Sequence, residues 1–213
     1  DRDLREWIKP VPDQPCTFKT VNAGKPHDVV FKPFFRVHGR RYSVYWDLFT
    51  PESWQARQAE YEANLARQKA LEARTIDFFQ PGEMQPERDH DLKGEHTSAG
   101  EAMGRKWRHA TNGGWFSFTL AVQPDEPAQL VCTYWGSDAG GRVFDILIDG
   151  EALVTQALDN DKPNQFFDQV YALPHRLIRD KTKVTVKFLA HPGKTAGGVF
   201  GARMIKVDQK KEL

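Results

Sequence analysis

The stretch Arg142-Val143-Phe144-Asp145-Ile146-Leu147-Ile148-Asp149-Gly150-Glu151-Ala152-Leu153-Val154 constrains this chain more than any other. Two runs rich in β-branched and aromatic residues flank Asp149-Gly150. That dipeptide suits a tight hairpin turn, because glycine tolerates the positive φ that primed turns need. A second run sets Val184, Val186, Phe188 and Ala190 on one face and Thr185 and Lys187 on the other. Such alternation belongs to a half-buried strand. Both runs fit an antiparallel sandwich, a scaffold that presents a binding surface more often than a complete catalytic set.

Elsewhere the signals are mixed. Residues 1–15 are polar and hold Pro10, Pro12 and Pro15, which reads as an extended opening segment. Strands are expected at 16–21, 29–37 and 42–49, with His38-Gly39-Arg40-Arg41 as the turn between the last two. So thin a sheet must cover something else or belong to a domain whose beginning is missing. Thr50-Pro51-Glu52 then announces a helix: Thr can cap, Pro suits the first helical position, and Glu favours the positive N-terminal end. Residues 55–74 lack Gly and Pro, and Trp54, Tyr61 and Leu65 fall near one stripe. The narrow stripe and mixed charges predict a solvated helix lying on a sheet or bridging two lobes. Residues 80–104 keep neither a strand nor a helix period, so a long irregular loop is expected there, of a kind that is often functional.

Strands resume at Trp107. Phe116, Phe118 and Leu120 alternate with Trp115, Ser117 and Thr119, and further strands are expected at 130–135, 142–148, 153–158, 166–173, 183–190 and 199–207. The predicted fold is mostly β, a jelly-roll β-sandwich preceded by a long α-helix and a small group of N-terminal strands.

Composition removes some functions. The 213 residues include 39% hydrophobic and 12% aromatic side chains, enough for a sizeable core. Thirty Lys and Arg nearly cancel 29 Asp and Glu, and a net charge of +1 gives no electrostatic basis for nucleic acid or an anionic membrane. No apolar run approaches the roughly 20 residues that span a bilayer. The chain begins at Asp1 and reads as a processed chain or a piece of something longer. Cys132 lies in a strand-like run and is expected to be a buried free thiol. Its pairing with the distant Cys16 is left open, as is the redox compartment.

Chemistry-bearing side chains crowd residues 80–104: Glu83, Glu87, Asp89, His90, Asp91, Glu95 and His96. Paired carboxylates there could work on a glycoside or hold Ca²⁺. The alternative is a polar loop tied down by its own salt bridges, since the spacing fits no EF-hand or HExxH pattern. Six Trp residues are available, and sugar rings pack their apolar C–H faces on such side chains. Trp115 sits among polar alternate positions, Trp107 shares a face with Arg105 and His109, and Trp135 closes a strand before a Gly-rich loop. Packing in the core is the competing role for each. The loops at Gly136-Ser137-Asp138, Gly140-Gly141, His191-Pro192-Gly193-Lys194 and Gly197-Gly198 read as flexible, and none matches a phosphate-binding loop. There is no G-x-S-x-G elbow and no cysteine cluster for zinc. The ligand-binding candidates are therefore Trp107, Trp115, Trp135, Glu83, Glu87 and His90, with no catalytic and no metal-ligating residue assigned.

Lys32-Pro33-Phe34-Phe35-Arg36-Val37-His38-Gly39-Arg40-Arg41-Tyr42-Ser43-Val44-Tyr45-Trp46 resembles the end of the β-domain that follows the catalytic barrel in bacterial β-L-arabinofuranosidase-type glycoside hydrolases, families 127 and 146. Pro81-Gly82-Glu83-Met84-Gln85-Pro86-Glu87-Arg88-Asp89-His90 resembles the C-terminal module of the same enzymes. So does Gly141-Arg142-Val143-Phe144-Asp145-Ile146-Leu147-Ile148-Asp149-Gly150, although galactose-binding-like and malectin-like modules carry similar strands. The resemblance divides the chain into a remnant of the preceding β-domain at 1–50, a linking helix at 51–74 and a C-terminal jelly-roll module at 75–213. It implies an (α/α) barrel, absent here, that uses cysteine thiolates, zinc and a glutamate. Two distant cysteines and one helix supply neither that zinc site nor that barrel. No cofactor is expected in this chain, with only a structural calcium ion left open. The implied role is a non-catalytic, carbohydrate-associated module that helps a glycoside hydrolase bind arabinose-containing glycans. A domain that only braces the barrel, and an autonomous hydrolase using Glu83 and Glu87, are the alternatives. Expected partners are a plant-type glycan or the parent's own catalytic domain, with no nucleic acid and no membrane span. The implied location is exported, periplasmic or extracellular, in a bacterium.

Overall fold

The computed structural model of the chain describes residues 4–22, 27–39, 49–124 and 126–207. They fall into two compact units, Asp1–Arg57 and Gln58–Leu213.

The first unit opens with a single helical turn, α1 (Leu4–Trp7), and continues through β1 (Ile8–Pro10), β2 (Phe18–Thr20) and β3 (Val30–Phe31). These form an antiparallel sheet in the order β1-β2-β3. Thr20 anchors it: the buried hydroxyl donates to Asp28 Oδ1 at 3.2 Å and accepts the Val29 N–H at 2.8 Å. The strand expected at 29–37 stops early. Pro33 has no N–H to offer a ladder, and a 3-10 turn at Phe34–Arg36 follows it, with Phe34 and Phe35 exposed. The strand expected at 42–49 lies, but for Phe49, outside the described residues.

Helix α2 (Pro51–Arg74) starts where the capping signal places it, with the Ser53 N–H donating to Thr50 Oγ1 at 3.2 Å. None of its residues is buried, as its mixed charges predict. No described helix is long and apolar enough to cross a membrane.

The second unit is a β-sandwich built from β4 (Thr75–Phe79), β5 (Lys93–Ala102), β6 (Arg105–Ala121), β7 (Ala128–Trp135), β8 (Arg142–Ile148), β9 (Glu151–Leu158), β10 (Phe166–Ala172), β11 (Lys183–Ala190) and β12 (Thr195–Lys206). Two short helices interrupt it, α3 (Met84–Asp89) and α4 (His175–Ile178). The ladder runs β10-β7-β12-β6-β11-β8-β9, with β4 on β12 and β5 on β6. Every pairing is antiparallel. The long strand β6 makes the curl. Asn112 and Gly113 take φ of 52° and 77°, so the strand bends there. Before the bend it pairs with β12, and after it with β11. The two halves of the ladder thus face each other over one core. Phe79 of β4 stacks on Phe118 of β6 with ring centroids 3.9 Å apart, and both are fully buried.

The hairpin forms as read. Ile148 pairs with Glu151, leaving Asp149-Gly150 as a two-residue turn with φ of 50° and 86°. The irregular loop expected at 80–104 does not exist. Its place is taken by α3 and the ten-residue strand β5. Among the described residues β5 pairs on one side only, with β6, and most of its residues are exposed, so no apolar alternation marked it. Both cysteines are free, Cys16 exposed and Cys132 buried in β7.

Candidate functional site

Strand pairing carries Trp107 to its position. Its register partner on β5 is Gly100. The Trp107 ring folds across onto that bare backbone: a Cβ added at Gly100 would lie 2.5 Å from it. On the same face of β6, His109 tilts against Trp107 with ring centroids 4.7 Å apart. The cross-strand Ser98 Oγ lies 2.9 Å from His109 Nε2.

Trp135 arrives from the end of β7. Beyond it, the 136–138 loop is tied down by hydrogen bonds. The Gly136 N–H donates to Gln165 O at 2.8 Å, the Asn160 N–H to Asp138 O at 2.7 Å, and the Asn164 N–H to Ser137 Oγ at 2.7 Å. Gly136 must be glycine, because a Cβ there would sit 1.8 Å from Lys162 O. The loop presents Asp138, whose Oδ1 meets Arg142 Nη2 at 3.0 Å. Arg142 Nη1 donates to Gly197 O at 2.6 Å, tying the start of β8 to β12.

These pieces line one cavity of about 290 Å³, formed by Trp107, Trp135, His109, Asp138, Arg142 and Phe200, with Met103 exposed at its rim. That volume is at the small end for ligand pockets, which run about 300–1,000 Å³. Asp138 Oδ2 is buried without a hydrogen-bond partner among the described residues. Burial raises the Asp138 carboxyl above the ordinary carboxylate range, and Arg142 partly opposes the rise. Burial, with Arg142 and Arg108 nearby, lowers the His109 imidazole and keeps it neutral at neutral pH. The cavity therefore offers two indole rings, a carboxylate acceptor, a guanidinium whose charge is balanced, and a neutral imidazole.

The other predicted site residues go elsewhere. Trp115 does not line this cavity; Lys187 Nζ lies 4.2 Å over its ring. Glu87 forms a two-pronged ion pair with Arg108, each oxygen at 2.8 Å, and also accepts the Gly82 N–H at 2.7 Å. Glu83 pairs with Lys106 at 3.1 Å. His90 places Nδ1 2.7 Å from Pro86 O and Nε2 3.2 Å from Asp77 Oδ1. These three tie α3 to β4 and β6. Among the described residues, no group of three or more His, Cys, Asp or Glu side chains comes together to hold a metal ion. The sequence reading missed Asp138 and Arg142. Their one signal was the Gly-rich loop directly after Trp135, which read only as flexible.

Several solved structures are similar to this chain at low identity. A family 35 carbohydrate-binding module from Clostridium thermocellum is 10% identical, with a TM-score of 0.48 over 62% of this chain and 99% of that one. A family 35 module from Cellvibrio japonicus is 11% identical, with a TM-score of 0.45 over 60% and 91%. An exo-β-1,3-galactanase from Phanerochaete chrysosporium is 11% identical, with a TM-score of 0.44 over 60% of this chain and 28% of that one. No curated protein matches the chain. A family model does match residues 70–205, the larger part of the chain, and on that match the chain belongs to the family of unknown function DUF6805.

Proposed function

We propose that the second unit is a non-catalytic carbohydrate-binding module and that a sugar ring occupies the cavity between Trp107 and Trp135. One observation carries this reading: two tryptophans from separate strands converge on the same small cavity as an acceptor, Asp138, and a donor, Arg142. Indole faces suit the C–H side of a sugar ring, and the polar pair suits its hydroxyls. A hydroxyl donating to the Asp138 carboxylate would satisfy an acceptor that otherwise goes unmet. The finer reading is an accessory role in an exported glycoside hydrolase acting on arabinose-containing glycans, with residues 1–50 left from a preceding β-domain. The sequence resemblance supports that part.

Calorimetric titration with L-arabinose, arabino-oligosaccharides, galactose and β-1,3-galacto-oligosaccharides tests the reading. At least one sugar should bind. Trp107→Ala or Trp135→Ala should cost about 2 kcal/mol, roughly thirtyfold in Kd, while Trp115→Ala should leave affinity unchanged. No heat with any of these sugars, or equal loss in all three variants, would sink it.

A second reading, a domain that only braces a catalytic barrel, draws on α2, where Trp54, Tyr61 and Leu65 are exposed. It predicts that deleting the module from the parent enzyme lowers Tm without a selective change in substrate affinity.

A further inference from the structure

A second cavity of about 300 Å³ is open on the outer face of the sheet half that holds β4, β7, β10 and β12. Phe78, Phe166, Thr133, Asp168, Arg105 and Arg203 carry its chemistry. The floor is the bare backbone of Gly201, where a Cβ would meet the Phe78 ring at 3.3 Å. Each arginine lies on an aromatic ring, Arg203 at 4.4 Å from the Phe78 centroid and Arg105 at 4.5 Å from that of Phe166.

Arg203 Nη1 donates to Thr75 Oγ1 at 2.8 Å, and the Arg105 guanidinium rests on the Phe166 ring. Asp168 accepts from Thr133 through Oδ1 at 2.6 Å. Asp168 and Glu72 both act on Arg203 electrostatically, so acid and base offset each other around the groove. That balance suits a neutral, hydroxyl-rich ligand better than an anion.

The groove and the tryptophan cavity share a wall. The Phe166 ring lines the groove, and it also packs edge-on against Trp135 at 4.9 Å and Phe200 at 4.8 Å, both of which line the cavity. Arg105 and Trp107 stand next but one on β6, the first at the groove and the second at the cavity. Two small sites with the same equipment, aromatic rings beside a carboxylate and a guanidinium, thus abut across one side chain.

We infer that the groove is a second subsite for the same glycan, so that the unit grips a chain of sugars rather than one terminal ring. This rests on the sugar-binding reading of the tryptophan cavity. Each subsite is too small for more than a short piece of chain, and occupying both at once makes the second contact intramolecular.

The test compares monosaccharide with trisaccharide on the full chain, using L-arabinose against α-1,5-arabinotriose and galactose against β-1,3-galactotriose. Calorimetry gives affinity, and amide chemical shifts report position. For the sugar that binds, the trisaccharide should bind about tenfold tighter or more than its monosaccharide. The Thr133 and Gly201 amides should shift with the trisaccharide only. Phe78→Ala combined with Arg203→Gln should reduce trisaccharide affinity to the monosaccharide level and leave monosaccharide affinity alone. Equal wild-type affinities for the two lengths would overturn the second subsite and leave the first standing. An unchanged length preference in the double variant would do the same. Binding by none of the four sugars would overturn both.

Discussion

A methyl group added at Gly100 would lie 2.5 Å from the Trp107 ring. The glycine is therefore part of how the indole is placed. Gly100→Ala should displace Trp107 and destabilise the unit by about 1–3 kcal/mol through overpacking. The expected readouts are a changed tryptophan emission spectrum and a weakened sugar response in a chain that still unfolds cooperatively. An unchanged spectrum and affinity would show that the ring has room to move. Asp138 obeys a different constraint. Its carboxylate is held between burial, which favours the neutral form, and Arg142, which favours the charged one. Neither residue stood out in the sequence, because a glycine in a polar strand and an aspartate in a turn are common for bland reasons.

At the scale of elements, the β8–β9 hairpin shows what the sequence makes legible. Both sides of the turn alternate, the Asp-Gly dipeptide permits the positive φ values, and the observed register leaves those two residues as the loop. Asp149 also does more than turn the chain. Its Oδ1 accepts the Thr185 N–H at 2.7 Å and its Oδ2 meets Lys181 Nζ at 2.7 Å, fastening the hairpin to β11. Asp149→Ala should cost about 1–3 kcal/mol, seen as a lower urea midpoint with an unchanged slope, whereas Asp149→Asn should recover part of it. A midpoint equal to wild type would mean these bonds only replace water. By contrast, α3 and β5 were illegible. β5 pairs along one edge and exposes most of its length, so the burial that writes alternation into β6, β8 and β11 is absent. In the first unit the strands read at 16–21 and 29–37 are present but shorter, as Phe18–Thr20 and Val30–Phe31, because Pro33 ends the second one.

Across the whole molecule, fold and site were legible to different depths. The sandwich follows from many strands that each repeat one pattern, so errors at single elements do not change the class. The site depends on which distant residues meet. Trp107 and Trp135 were both singled out, yet only the register of β6 and the loop after β7 brings them to one cavity, and the same register leaves Trp115 out of it. Glu83, Glu87 and His90 hold α3 in place through partners on β4, β6 and α3 itself; the reading of a segment tied down by salt bridges named that role but not those partners. The two cysteines fall one in each unit, Cys16 exposed and Cys132 fully buried, where burial drives its thiol far above the ordinary range. A maleimide dye should therefore tag Cys16 within the mixing time and reach Cys132 only as often as the sandwich opens. Mass spectra collected over hours would then show a first adduct at once and a second whose growth rate is an unfolding clock, built into the native sequence and readable without any engineered reporter.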